Sequence, residues 1–181
     1  MNPLLQNFNT KYNSAPFNEI KEEHYLPAFK ELIEKSKKEI DEIANNSEEP
    51  TFSNTIEALA YSGEQLDAVS SIFFNLNSAE TNDEIQKIAQ EVSPLLSEYS
   101  SQISQNEALF NRIKKVFDGF NSPPLEGGAS QRRDRGGLNE EQTTLLNETY
   151  KGFVRNGALL NDENKKKLEK INMDLSLKSL Q

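Results

Sequence analysis

The sequence predicts an all-α protein, a multi-helix antiparallel bundle, and three observations carry that reading. Apolar residues recur at intervals of three and four in six separate segments, the period at which side chains share one face of an α-helix. Three segments open with Asn or Thr followed three residues later by Glu or Gln, the pairing in which each side chain takes up a backbone N–H that the first helical turn leaves free. Leu outnumbers Val by 20 to 4, and Glu and Lys are abundant, a bias towards helix because straight side chains lose little rotamer freedom there. No stretch reads convincingly as a strand.

Residues 1–20 are polar, broken by Pro3 and Pro16 and dotted with isolated apolar points, so they are expected to form an extended arm. A first helix is expected from about Glu22 to Ala44, on the spacing of Leu26, Phe29, Ile33, Ile40 and Ile43, with Ser36 in the gap. Pro27 falls in its first turn, where a missing N–H matters least. The second is expected to open at about Asn54, with Glu57 completing a capping box, and to carry Ile56, Leu59, Gly63, Leu66, Val69, Phe73 and Leu76 on one stripe. Gly63 in mid-helix costs about 1 kcal/mol relative to Ala, which predicts another backbone close by.

A third helix is expected to begin with the pair Thr81 and Glu84 and to run through Ile85, Ile88, Val92, Leu95, Tyr99 and Ile103. Pro94 is expected to kink it near Gln90 or to split it. The fourth starts at Asn106 and carries Leu109, Phe110, Ile113, Val116, Phe117 and Phe120. Residues 121–137 hold four of the eight glycines, two adjacent prolines and an Arg-rich run, and read as a flexible loop or insertion. A fifth helix opens with Asn139 and Gln142 and stops at Gly157; a sixth begins near Asn161 with Leu168, Ile171 and Leu175. The expected organisation is therefore an arm and four helices over 1–120, the loop over 121–137, and two further helices over 138–181, the last truncated.

Leu, Ile, Val and Phe make up 45 of 181 residues, above the ~20% below which chains stay disordered. A formal charge of -9 argues against a phosphate-binding surface, so no nucleic-acid partner is expected. Cysteine is absent, which removes disulfides and thiolate metal sites. The opening MNPLLQNFNTKY lacks the charged and apolar regions of a secretory signal, and no run approaches the ~18 apolar residues of a membrane span. A cytoplasmic chain without a membrane partner is expected.

The chemistry-bearing residues are few. His24 is the only histidine, whereas the H-E-x-x-H type of zinc site needs two imidazoles one turn apart and a third protein ligand. Glu22, Glu23 and Tyr25 beside it allow a carboxylate-held base, but a capping or packing histidine is the favoured reading. Asp162 and Glu163 are read as acidic groups opposing a helix dipole rather than as ligands of magnesium or calcium. Ser70 and Ser71 lack a basic partner in any nucleophile motif. Phe73, Phe74, Asn75, Leu76 and Asn77 have the mixture of apolar and amide groups that suits a peptide backbone, yet core packing is favoured. Arg132, Arg133 and Arg135, with Asp134 among them, are read as a solvated linker rather than an anion site.

The blocks IKEEHYLPAFKELIEKSKKEIDEIANN, PTFSNTIEALAYSGEQLDAVSSIFFNLNSAETNDEIQKIAQEVSPLLSEYSSQI, NEALFNRIKKVF and TYKGFVRNGALLNDENKKKLEKINMDLS resemble the N-terminal region of the M3 family of zinc metallopeptidases, in its bacterial peptidyl-dipeptidase and oligopeptidase A branch. The resemblance covers nearly the whole chain except 121–137, which departs from the family and reads as an insertion at a surface loop. It implies the N-terminal helical part of an M3 (neurolysin-like) peptidase fold, about the first quarter of an enzyme that cuts short peptides with one zinc in a deep channel. The family's H-E-x-x-H motif and later glutamate ligand lie downstream. No catalytic, cofactor-binding or metal residue is carried onto this chain, and the chain alone is expected to be inactive. Zinc and short peptides belong to the complete enzyme, and the expected partner is the remainder of its catalytic domain. The alternative is a free-standing helical interaction module without enzymatic activity.

Overall fold

The computed structural model describes residues 1–8, 10–121 and 137–179, and among them there is no strand. Residues 122–136, most of the expected insertion with Arg132, Arg133, Asp134 and Arg135, lie outside the described residues. The rest is the all-α assembly that the periodicity predicts. An arm of short 3-10 turns at Pro3–Leu5, Lys11–Asn13 and Glu22–His24 leads into α1 (Tyr25–Ala44), with Pro27 in its first turn. There follow one turn of π-helix (Phe52–Glu57), α2 (Ala58–Tyr61), α3 (Glu64–Ala79), α4 (Asp83–Ser104), α5 (Glu107–Asn121), α6 (Glu140–Arg155) and α7 (Asp162–Lys178).

The second expected helix is corrected in two respects. It opens earlier, because Thr51 is the cap: its Oγ1 accepts the Asn54 N–H at 3.1 Å, and Asn54 Oδ1 accepts the Thr51 N–H at 2.8 Å. Glu57 instead accepts from the Ser53 hydroxyl at 2.6 Å. It is also interrupted, since Gly63 adopts φ +74 between α2 and α3 rather than sitting in mid-helix. No backbone crowds it. A Cβ at Gly63 would meet Ser36 Oγ at 3.5 Å and Tyr99 OH at 3.6 Å, ordinary contacts, so the left-handed φ is what calls for glycine.

The third helix is corrected likewise. Asn82 caps it, accepting from the N–H groups of Glu84 at 3.0 Å and Ile85 at 2.9 Å, while the Thr81 hydroxyl turns back to Asn77. Pro94 does not split α4. One ladder bond is lost there, but Val92 before it is fully buried and Leu95, Leu96 and Tyr99 after it pack on the same core. The later starts and the stop match their expectations. Asn106 accepts the Leu109 N–H at 2.9 Å, Asn139 and Gln142 form a reciprocal capping box, Asn161 accepts the Asn164 N–H at 3.0 Å, and α6 stops before Gly157, at φ +92.

The chain divides into two compact units: Met1–Glu39 with Gly63–Ser100 and Glu169–Gln181, and Ile40–Ser62 with Ser101–Leu168. In the first, Leu4, Tyr25, Phe29, Leu66, Val69, Ile85 and Val92 close around Phe73. The Phe73 ring lies 5.0 Å from Tyr25, 5.5 Å from Phe29 and 5.2 Å from Phe74 in tilted or edge-on contact, the arrangement that aromatic quadrupoles favour. The core of the second joins Ile40, Ile43, Ile56, Leu109, Ile113 and Leu146 to a stacked aromatic set, with Phe117 and Tyr150 at 3.9 Å and Phe110 at 5.8 Å from Tyr150.

These two cores explain the apolar stripes. Phe29 and Ile33 of α1 serve the first and Ile40 and Ile43 the second, with Ser36 in the gap; Ile56 serves the second and Leu66 the first, with Gly63 between.

Candidate functional site

Two arrangements in the first unit gather polar groups. In one, His24 closes a 3-10 turn: its Nδ1 accepts the Lys21 N–H at 3.0 Å, which puts the imidazole proton on Nε2, and its carbonyl accepts from Asn2 Nδ2 at 2.8 Å. Glu22 is drawn away to Asn82 Nδ2 at 2.6 Å. The capping reading of His24 is the one the geometry supports. A polar recess of about 420 Å³ opens beside it, lined among others by Met1, Gln6, Phe8 and Glu19.

The other arrangement was not singled out by spacing. Glu39 Oε2 accepts the Gly63 N–H at 2.9 Å, and Ser36, buried on the same helix, hydrogen-bonds the Tyr99 phenol. Burial pushes the Tyr99 phenol above its ordinary value; the Ser36 hydrogen bond opposes this, and the negative charges of Asp67 and Glu39 reinforce it. Asp67, although exposed as a residue, has its carboxyl pushed upwards by partial burial. The only sequence signal for this cluster is Ser36, a polar residue in an apolar stripe. The Glu39 bond ties the start of α3 to α1; the cluster has no nucleophile paired with a base.

The remaining candidates are structural. Ser70 Oγ donates to the Leu66 carbonyl at 2.7 Å and Asn75 Nδ2 to the Ser71 carbonyl at 2.7 Å, both within α3. Phe73 is fully buried and Phe74 packs against the same core. Asp162 and Glu163 stand in the first turn of α7, and Glu163 pairs with Lys167 at 2.6 Å. Among the described residues no group of three His, Cys, Asp or Glu side chains is placed to hold a metal ion. A lone imidazole whose Nδ1 is already an acceptor, without any thiol, does not make a zinc donor set. No helix among the described residues is long and apolar enough to cross a membrane.

In the second unit Arg112, only 7% exposed, holds a connection in place. Its Nη1 donates to the carbonyls of Asn46 at 2.6 Å and Glu48 at 3.0 Å, and its Nη2 to Asn54 Oδ1 at 3.0 Å and Thr55 Oγ1 at 3.3 Å. Lys165 of α7, also buried, pairs with Glu107 of α5 at 3.2 Å.

No protein-family model matches the chain. Individual proteins do. It is 37% identical over 174 residues to the dipeptidyl carboxypeptidase of Escherichia coli and 36% identical over 173 residues to that of Salmonella typhimurium, in each case over 96% of this chain and 24% of the relative. It is 30% identical over 118 residues to the oligopeptidase A of Salmonella typhimurium, over 65% of this chain and 17% of the relative. The chain thus spans about a quarter of the length of these dipeptidyl carboxypeptidases. An all-helical structure, a match along almost the whole chain, and relatives that are all peptidases lead to one assignment: the chain matches the N-terminal region of M3 family peptidases.

Proposed function

We propose that this chain is a non-catalytic helical part of an M3 peptidase, which forms part of the wall of a channel for short peptides while a zinc-dependent centre is supplied by the portion outside the match. One observation carries the reading: almost all of this chain matches about a quarter of each dipeptidyl carboxypeptidase, and its described residues contain no donor set for a hydrolytic metal. Three protein ligands and an open position are the minimum for catalytic zinc, which supports a centre in the portion outside the match. What these residues supply is two packed cores, capped helix starts and fixed turns, the kind of scaffold on which a substrate path is built.

A chimera tests this. This chain replaces the matching portion of the Escherichia coli dipeptidyl carboxypeptidase, and hydrolysis of short fluorogenic peptides is followed with and without a chelator. The expected result is chelator-sensitive hydrolysis by the chimera, and neither hydrolysis nor stoichiometric zinc in the chain alone. An inert but folded chimera, or zinc-dependent cleavage by the pure chain, overturns the reading.

A further inference from the structure

We infer that the exposed aliphatic side chains of α7 in the first unit, Ile171, Leu175 and Leu177, form a docking surface for the portion of an M3 peptidase outside the match, an inference that rests on the function proposed above. The sequence pattern of Leu168, Ile171 and Leu175 is that of a packed face. The structure leaves Ile171 60%, Leu175 63% and Leu177 40% exposed. Among the described residues, no other helix longer than ten residues carries more than one exposed large apolar side chain. Three on one helix, where each other long helix carries at most one, set this stretch apart from singly scattered surface residues.

The arrangement selects the occupant. Ile171 and Leu175 stand one turn apart, but Leu177 lies roughly 120° round the helix from Ile171, so apolar groups face outward on more than one side. Ile171 to Leu177 also spans only about 9 Å of helix axis. A second copy meeting α7 along one face would leave Leu177 uncovered and fall well short of the ~800 Å² per partner of a stable association. Lipid is disfavoured too. The charged residues among and beside them, Glu169, Lys170, Asp174 and Lys178, mix both signs, whereas interfacial membrane helices present a basic face. A large protein surface that wraps this end of α7 fits both points, and about three quarters of each dipeptidyl carboxypeptidase lies outside the match.

The chain has no cysteine, so a single introduced thiol reports its own burial. Leu175→Cys is made in the chain alone and in the chimera described above, with Phe17→Cys, on the exposed arm of the same unit, as control. Iodoacetamide labelling is read at each site by peptide mass mapping. The expected result is labelling of Leu175→Cys slowed by about tenfold or more in the chimera, with Phe17→Cys unchanged. Equal labelling in a chimera that hydrolyses peptides overturns the docking surface and leaves the proposed function standing. An inert but folded chimera removes the proposed function and the surface with it. Protection in the isolated chain that grows with its concentration, or on addition of anionic vesicles, assigns the surface to a second copy or to lipid and overturns the inference.

Discussion

Glu39 accepts the backbone N–H of Gly63 at 2.9 Å, which anchors the start of α3 to α1 through the one residue between α2 and α3 that is left-handed. An alanine there pays the left-handed strain of about 1–2 kcal/mol, and nothing more, because its Cβ would find 3.5 Å of room beside Ser36. Gly157 differs: φ is +92 and a Cβ would lie 2.8 Å from Leu168 Cδ2 and 2.9 Å from Leu160 Cδ1. Gly63→Ala should therefore lower the urea midpoint at unchanged m-value, and Gly157→Ala should lower it further. Equal losses would show that the leucine ends swing aside at no cost.

Local capping chemistry was legible because donor and acceptor lie three residues apart. Asn106, Asn139 with Gln142, and Asn161 all cap as their spacing predicts. Asn54 was ambiguous from sequence, since Thr51 and Asn54 are themselves a competent pair, and its Oδ1 also takes a bond from Arg112, 58 residues away. The break at Gly63 is hidden for a different reason: an unbroken period of three and four does not distinguish one core from two, and here Ile56 and Leu66 belong to different cores. The cluster of Ser36, Glu39, Asp67 and Tyr99 is a long-range arrangement, of which only the gap at Ser36 could be seen in advance.

Tyr25 is 1% exposed and its hydroxyl has no hydrogen-bond partner among the described residues, while burial pushes its phenol above the ordinary value. The ring is needed and the oxygen is not. Tyr25→Phe keeps the tilted contact with Phe73 and removes an unpaired polar group, so stability should stay level or rise by about 1 kcal/mol. Phe73→Ala, which empties the centre of the same core, should cost about 3–5 kcal/mol. A clear loss in Tyr25→Phe by thermal unfolding would reveal a partner for the hydroxyl, such as a buried water.

Arg112 is a buried charge that donates hydrogen bonds to neutral oxygens: two carbonyls, an amide and a hydroxyl. Arg112→Met preserves much of the volume but leaves the Asn46 and Glu48 carbonyls without that donor. Both bonds are part-buried, and a hydrogen bond to a charged group is worth about 1.5–3 kcal/mol, so the variant should lose roughly 2–5 kcal/mol. Arg112→Lys should recover only part of this, because one ammonium cannot reproduce the planar fork that reaches four acceptors. Hydrogen exchange should localise the loss to residues 46–55, and uniform loosening would argue that Arg112 acts through general packing.

Asp67 makes the pH dependence of the first unit testable. Partial burial raises its carboxyl above the ordinary value of ~3.9, so the folded chain holds that proton more tightly than the unfolded one. Below the ordinary value both states are protonated and nothing is lost. As pH climbs from there through the raised folded value, the folded state must part with a proton it prefers, and stability falls; above that window the loss persists. Asp67→Asn removes the group, so its stability relative to the parent should rise across the same window and then level off. The substitution also withdraws a negative charge that pushes the Tyr99 phenol upwards, and the Tyr99 ring signals in an NMR titration should move at lower pH than in the parent. Asp67 stands in the first turn of α3, where the helix dipole favours the charged form. A relative stability that falls with rising pH would mean that the dipole outweighs burial, the opposite sign, and a flat difference would mean that the two cancel.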